Sequence, residues 1–281
     1  LSQPLKGNTG TIDLGDARVN VVEGGIASMD YFYAASTGQI NGVRGIIKFG
    51  HNPDIDTAAG EDINYFGNLT YLTAASTFDV VSDSSADDLT TGTGAWEITI
   101  SYLDANYAEQ TETISLDGLT PVTTTGSGLR LLSAYCGKVG SGGVNAGNIA
   151  ITATTGGTTQ AYIPANRGQT QQAAYTVPAG YTAHFVGGLF SIDETAGGAL
   201  KEATAFVHGD IRLYDENSTN NYQSWRTLFQ TDLNNRGTGA LAIPQTVTNP
   251  IPEKTDVRIR AEVGVNDTEV TARLFIILRE N

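Results

Sequence analysis

The alternation of apolar and polar side chains is clearest near the end of the chain. In "DVRIRAEV", Val257, Ile259, Ala261 and Val263 alternate with Asp256, Arg258, Arg260 and Glu262, the period of two of a strand with one wet face. "GVNDTE" follows with turn chemistry, because Asn266 and Asp267 tolerate the left-handed backbone of a tight reversal, and the sequence predicts a terminal hairpin. Its second arm, "VTARLFIILRE", sets Val270, Ala272, Leu274, Ile276 and Leu278 on one face, while Phe275 and Ile277 make the other face apolar too. A strand apolar on both faces must be covered on both, and Phe275 and Ile277 are the residues expected at an interface between subunits.

The same alternation recurs upstream. In "GAWEITISYLDANYAEQTETISLDG", Trp96, Ile98, Ile100 and Tyr102 alternate with Glu97, Thr99 and Ser101; Asp104 to Asn106 turn the chain, and Ile114 and Leu116 lie on the return arm. "NIAITATTGGTTQAYIPA" and "QQAAYTVPAGYTAHFVGGLFSID" continue the series, with breaks at Gly156-Gly157 and at Pro178 to Gly180. Two stretches resemble helices weakly: "GGALKEATAFVHG", bracketed by glycine and out of phase, and "TDLNNRGTGALAIP", which Pro244 turns into an extended reading. The prediction is an all-β fold of β-sandwich or jelly-roll-like units. Residues 1–60 read as an irregular N-terminal arm, 61–162 as a first β unit and 163–281 as a second, jelly-roll-like sandwich, with the polar "IPANRGQTQQ" at the junction.

Composition supports that reading and removes several functions. The chain has 281 residues, 33 of them glycine, scattered without a triplet period between the alternating runs as turn residues. A formal net charge of −14 and the lack of a basic stripe argue against a nucleic-acid partner, whose phosphates require clustered Lys and Arg. No apolar run approaches the roughly 20 residues of a membrane helix, so no membrane partner is expected. Cys136 is the only cysteine, which rules out an intrachain disulfide and fits folding in a reducing cytoplasm; within "LRLLSAYCG" it reads as a small buried hydrophobe.

Candidate chemistry centres on "HNPDIDTAAGED", where His51, Asp54, Asp56, Glu61 and Asp62 crowd one short stretch. The spacing misses the calcium-loop template, because Ala58 stands where glycine is needed, and Asn52-Pro53 precede Asp54 in place of the apolar run that would deliver a nucleophilic aspartate. Asx-turn capping explains Asn52, Asp54 and Asp56 without a ligand, so no metal is expected, with Asp54 and Asp56 the residues that would hold one. His184 lies in an apolar strand. His208 stands near Asp210, but no nucleophile elbow accompanies them. "GTGALA", at residues 237–242, matches a dinucleotide loop only loosely, with Pro244 blocking the helix that would have to follow. No catalytic residue and no cofactor are expected. A glycan hydrolase using the carboxylates between Asp54 and Asp62 would need two acids at a defined separation, which proximity in sequence does not supply.

Several longer stretches together resemble a known family. "NPDIDTAAGEDI", "LDANYAEQTETISLDGLTPVTTT", "SGGVNAGNIAI", "AAYTVPAGYTAHF", "PEKTDVRIRAEV" and "NDTEVTARLFIILREN" are similar, in order and spacing from about residue 44 to the end, to virion structural proteins of tailed bacteriophages, many with marine hosts. After "GEDI" the chain departs from the family, with "NYFGN" in place of an aromatic and glycine-rich stretch. The resemblance implies a particle component made in a bacterial host cytoplasm, and it carries over no catalytic residue.

The expectation is therefore a non-enzymatic capsid decoration or cement protein, assembled as a homotrimer and bound to other virion proteins such as the major capsid protein. The alternative is a tail, neck or fibre component touching the host surface through "YDENSTNNYQSW", where Tyr222 and Trp225 would stack on sugars.

Overall fold

A computed structural model describes residues 12–14, 17–19, 31–57, 59–194, 203–235, 240–243 and 250–281. In chain order the elements are β1 (Ile12–Leu14), β2 (Ala17–Val19), α1 (Tyr31–Ser36), β3 (Val43–Ile55), β4 (Glu61–Asp62), β5 (Phe78–Ser82), β6 (Ala95–Leu103), β7 (Glu109–Ser115) and β8 (Val122–Thr123). There follow β9 (Arg130–Val139), β10 (Ile149–Ala153), β11 (Thr159–Ile163), β12 (Ala174–Thr176), β13 (Tyr181–Glu194), β14 (Thr204–Arg212), β15 (Arg226–Asn234), β16 (Ala240–Ile243), β17 (Asp256–Val263) and β18 (Thr268–Glu280). Every strand ladder among the described residues is antiparallel, and the fold is all-β.

The strands build two sandwiches. In the first, the sheet β11-β10-β5-β8 packs on β7-β6-β9, and Phe78, Val80, Ile98, Ile100, Ile149 and Ile151 fill the space between them. In the second, β16-β13-β18-β3 packs on β12-β17-β14-β15, with β4 beside β12 along β17. Its core takes Val270, Leu274 and Ile276 from one layer and Val207, Val257 and Ile259 from the other, each large side chain contributing about 1.5–3 kcal/mol by leaving water. Leu103, Leu129 and Leu132 of the first unit belong to this second core, so the two sandwiches share buried surface.

The hairpin of β6 and β7 forms as predicted, with Ile98 opposite Ile114 and Leu103 opposite Glu109. The terminal hairpin does not. β17 pairs with β14, β12 and β4, whereas β18 pairs with β13 and β3 in the facing sheet. The reason is that Val257, Ile259 and Ala261 and the even-numbered apolar residues of β18 must face one another across a core, which one sheet cannot provide. Asp267 does adopt the left-handed conformation, with φ of 61°, in the connection that changes layers.

Two other elements differ from expectation. From Thr204, the weakly helical stretch is strand β14, paired on both sides; Gly197 to Glu202 lie outside the described residues. Within the segment read as an irregular arm, β3 is a 13-residue strand paired with β18 through an unbroken register from Val43 to Asn52. Its alternation is concealed because polar and small residues, Lys48, Gly50 and Asn52, occupy the buried face, leaving Ile47 and Phe49 on the outer one. Gly50 is required there: a Cβ would stand 2.2 Å from the Ile63 carbonyl oxygen.

Candidate functional site

The carboxylates that crowd the sequence around Asp54 are separated by the fold. Asn52 accepts from the Asp54 amide (3.0 Å) and donates to Glu61 (3.1 Å) and to the Asp62 carbonyl (3.1 Å), the Asx-turn role expected of it. Asp62 turns inward, accepting from the Leu69 amide (2.9 Å) and from Arg260 (3.2 Å). Burial pushes the Asp62 carboxyl above its usual range, opposed by the Leu69 amide and the arginines. Asp54 and Asp56 stay exposed beside Asp267, with carboxylate oxygens within 4.8 Å of one another. Asp267 joins them from the β17–β18 connection, which sequence proximity could not show. Loss of hydration and then Asp267 push the Asp54 carboxyl upward. An exposed acidic trio fits a solvated loop as well as a cation, and nothing else in the described residues around it points to a metal.

The histidines are held in structural positions. His51 contacts Gln171 (3.0 Å) and Glu269 (2.8 Å), and His208 contacts Asp210 (2.9 Å). Burial acts to raise the Asp210 pKa, but His208 and Arg258 outweigh it and hold the carboxyl below its ordinary range. His184 lies opposite Ile277 in the β13–β18 ladder. Burial pushes the Cys136 thiol up to about 11, which keeps it protonated at neutral pH and a poor nucleophile.

Tyr222 and Trp225, the expected sugar-stacking residues, are occupied within the chain. Tyr222 is only 8% exposed, its hydroxyl 2.7 Å from that of Tyr107 and accepting from Arg130 (3.1 Å). The Trp225 ring has the Arg258 guanidinium 3.9 Å from its centroid and Arg212 at 4.8 Å. Beneath them, fully buried Asp256 binds Arg130 (2.8 and 3.1 Å), Arg212 (2.5 Å) and Thr176 (2.6 Å). The face of β17 expected to be wet is thus a lattice of ion pairs and stacked rings. Beside it, Tyr107, Tyr214, Asn220 and Asn221 line a cleft of about 400 Å³.

The larger opening lies along β3, the edge strand of its sheet. A cleft of about 900 Å³ runs between β3 and the strands β6, β7 and β9, lined by Arg44, Ile47, Lys48, Glu109, Tyr135 and Tyr175 among others. Ile47 and Tyr135 on its rim are 49% and 48% exposed. Inside, Lys48 is 7% exposed and donates to the Leu132 carbonyl, and burial pushes its pKa down to about 8. Arg44 pairs with Glu109. The Tyr175 hydroxyl and Arg44 Nε are buried without a hydrogen-bond partner.

Phe49 and Arg273 line this cleft and also a second, apolar groove over the outer face of the same sheet, with Leu189, Ala240 and Ala242. The register places Ile47 beside Phe275, and Phe49 and Leu189 on either side of Arg273, on that face. Leu189 is 43% exposed. Ile277, expected at a subunit interface, is instead covered by its own chain, packed with Ala35 of α1 and Val186, and Phe275 is half-buried at the margin of that cluster. On the sheet face that carries Phe275, the large apolar residues left exposed among the described residues are Ile47 and Leu189.

No protein-family model matches the chain. No curated protein matches it. Among solved structures, a chain in the structure of infectious bursal disease virus, Gx strain, aligns at 10% identity and a TM-score of 0.16, over 84% of this chain and 70% of that one. A chain from the Gt strain of the same virus aligns at 11% identity and a TM-score of 0.15, over 85% and 75%. These chains come from a virus, but superpositions at such scores carry no argument about fold or role.

Sequence reasoning missed Lys48, Arg44 and Tyr175 as members of one cleft. Arg44 and Lys48 lie on β3 and Tyr175 on β12, and only the packing of β3 against β9 and β12 brings them together. The one available signal was the inversion of β3, whose apolar residues alternate with a lysine and a glycine in "GIIKFG".

Proposed function

We propose that the chain is a non-enzymatic structural component of a tailed-phage virion, a capsid decoration or cement protein. It would associate with copies of itself, as a homotrimer, and with other virion proteins such as the major capsid protein. The observation that carries this reading is the inverted strand β3, which buries polar residues and presents Ile47 and Phe49 on an outer sheet face together with Leu189. An apolar sheet face continuous with a cleft favours burial against another chain, at about 25 cal/mol per Å² before association costs. The sequence resemblance to phage particle proteins supports the same reading, and so do the structural roles of the histidines and of Asp62. On this reading no cofactor, nucleic acid or membrane is a partner.

Sedimentation velocity tests it. The wild-type chain is expected to sediment as an oligomer and the Ile47→Glu, Leu189→Glu double variant as a folded monomer; identical sedimentation of the two would count against this surface. Incubation with host polysaccharide is expected to yield no new reducing ends. A tail or fibre location would instead use the cleft of Tyr107, Tyr214, Asn220 and Asn221, because Trp225 is already stacked on arginine. Host-cell binding lost on Tyr214→Ala would favour that alternative.

A further inference from the structure

The cleft along β3 is rich in unspent hydrogen-bond donors. An ammonium has three N–H donors, and Lys48 uses one of them on the Leu132 carbonyl, with no carboxylate partner among the described residues. Tyr175 and Arg44 Nε add two buried polar groups without partners. The strand edge adds more. The Phe49 carbonyl accepts from the Gln172 amide (2.8 Å), which shows that Phe49 directs its backbone groups away from β18. A period of two, in a register unbroken from Val43 to Asn52, turns the N–H and C=O of Gly45 and Ile47 the same way, into the cleft. On that side β3 has no paired strand among the described residues.

An unpaired edge is a template for another strand, and an inward-pointing charge is a common guard against indiscriminate pairing. Lys48 occupies the guard's position. An apolar strand added here would seal an ammonium against a single carbonyl, which is unfavourable, whereas a strand bringing a carboxylate would neutralise it. Charge favours the second case: the cleft holds Arg44, Lys48 and Arg273 against Glu109, in a chain whose net charge is −14. Its volume of about 900 Å³ suits a binding cleft, which spans roughly 300–1,000 Å³.

We infer that the free edge of β3 is a strand acceptor for an extended acidic segment of a partner protein. The segment's backbone pairs with Gly45 and Ile47, and one of its carboxylates meets the Lys48 ammonium, the mode of β-strand addition. This inference rests on the assembly reading above and names the partner's chemistry.

The test is fluorescence anisotropy with the full chain and a labelled, blocked peptide of alternating valine and glutamate. Three comparisons accompany it: the same peptide with glutamine for glutamate, the same peptide N-methylated at alternate backbone nitrogens, and citrate as a competitor. The glutamate peptide is expected to bind, with affinity lower by about tenfold or more for the glutamine and the N-methylated forms. Lys48→Met is expected to bring the glutamate peptide down to the level of the glutamine one, with its melting curve showing the variant folded. The ligand comparisons leave the protein untouched, so they stand if the variant fails to fold. Absence of binding, equal binding of the N-methylated peptide, or displacement by citrate of a peptide that binds regardless of its glutamates would each overturn the inference. The assembly reading would survive such a failure if the Ile47→Glu, Leu189→Glu variant still lost its oligomer.

Discussion

Buried charge is distributed unevenly among single residues. Asp256 lies at 0% exposure and satisfies two guanidiniums and a threonine at once. Burial works against the charge on Arg130, and the Asp256 carboxylate more than compensates, raising its pKa. Asp256→Ala would leave Arg130 and Arg212 without their counter-ion, and the expected loss is about 3–5 kcal/mol of unfolding free energy in urea denaturation. Lys48 is the opposite case, a buried cation without a carboxylate partner among the described residues. Its pKa falls from 10.5 to about 8 on folding, so between those values the unfolded chain binds a proton that the folded chain does not. Stability from this group therefore rises with pH across that window, and its burial is a net cost below it. Lys48→Met is expected to be more stable than wild type at pH 7 by about 1–3 kcal/mol, with the difference closing above pH 10.5. A difference independent of pH would show that the lysine is not buried as a charge. Neither role was legible in the sequence. Asp256 read as a residue of a wet strand face and Lys48 as part of an irregular arm, because burial by a distant element leaves no local pattern.

At the scale of elements, legibility followed the cleanness of the alternation. β6 and β7 could be read as a hairpin because Ile98 and Ile100 alternate with threonine and serine and Asp104 marks the turn. β17 and β18 were legible as strands but not as members of opposite sheets. Pairing partners are chosen by the core, and a short connection containing Asn266 and Asp267 serves a change of layer as well as a hairpin. β3 escaped notice because its buried side includes Gly50, where the backbones of Ile63 and Ala173 approach closely. Gly50→Ala would press a methyl group to 2.4 Å from the Ala173 Cβ, and the expected cost is about 1–3 kcal/mol in thermal or urea unfolding. A neutral result would mean that the β3–β4 junction yields more readily than its contacts imply.

For the whole molecule, two sandwiches share buried surface, and a cleft of about 900 Å³ opens where β3 of one meets β6, β7 and β9 of the other. Sequence reasoning reached the all-β class and expected the second apolar face of β18 to be covered by sheet packing or by a neighbouring subunit. It assigned that surface to Phe275 and Ile277, since it could not foresee that α1 covers one end of the face while Ile47 and Leu189 remain open at the other. The carboxylate cluster that looked most like chemistry in one dimension is divided in three, with Asp62 turned into an arginine lattice and Asp54 and Asp56 left in solvent. What remains is a molecule with an exposed apolar sheet face and a cleft that is cationic along one edge. A map of the intact particle at strand-level resolution tests that account most directly. It predicts this chain in the shell, with a neighbouring chain lying over Ile47 and Leu189 and along the free edge of β3; a chain absent from the particle, or present with that face open to solvent, would contradict it.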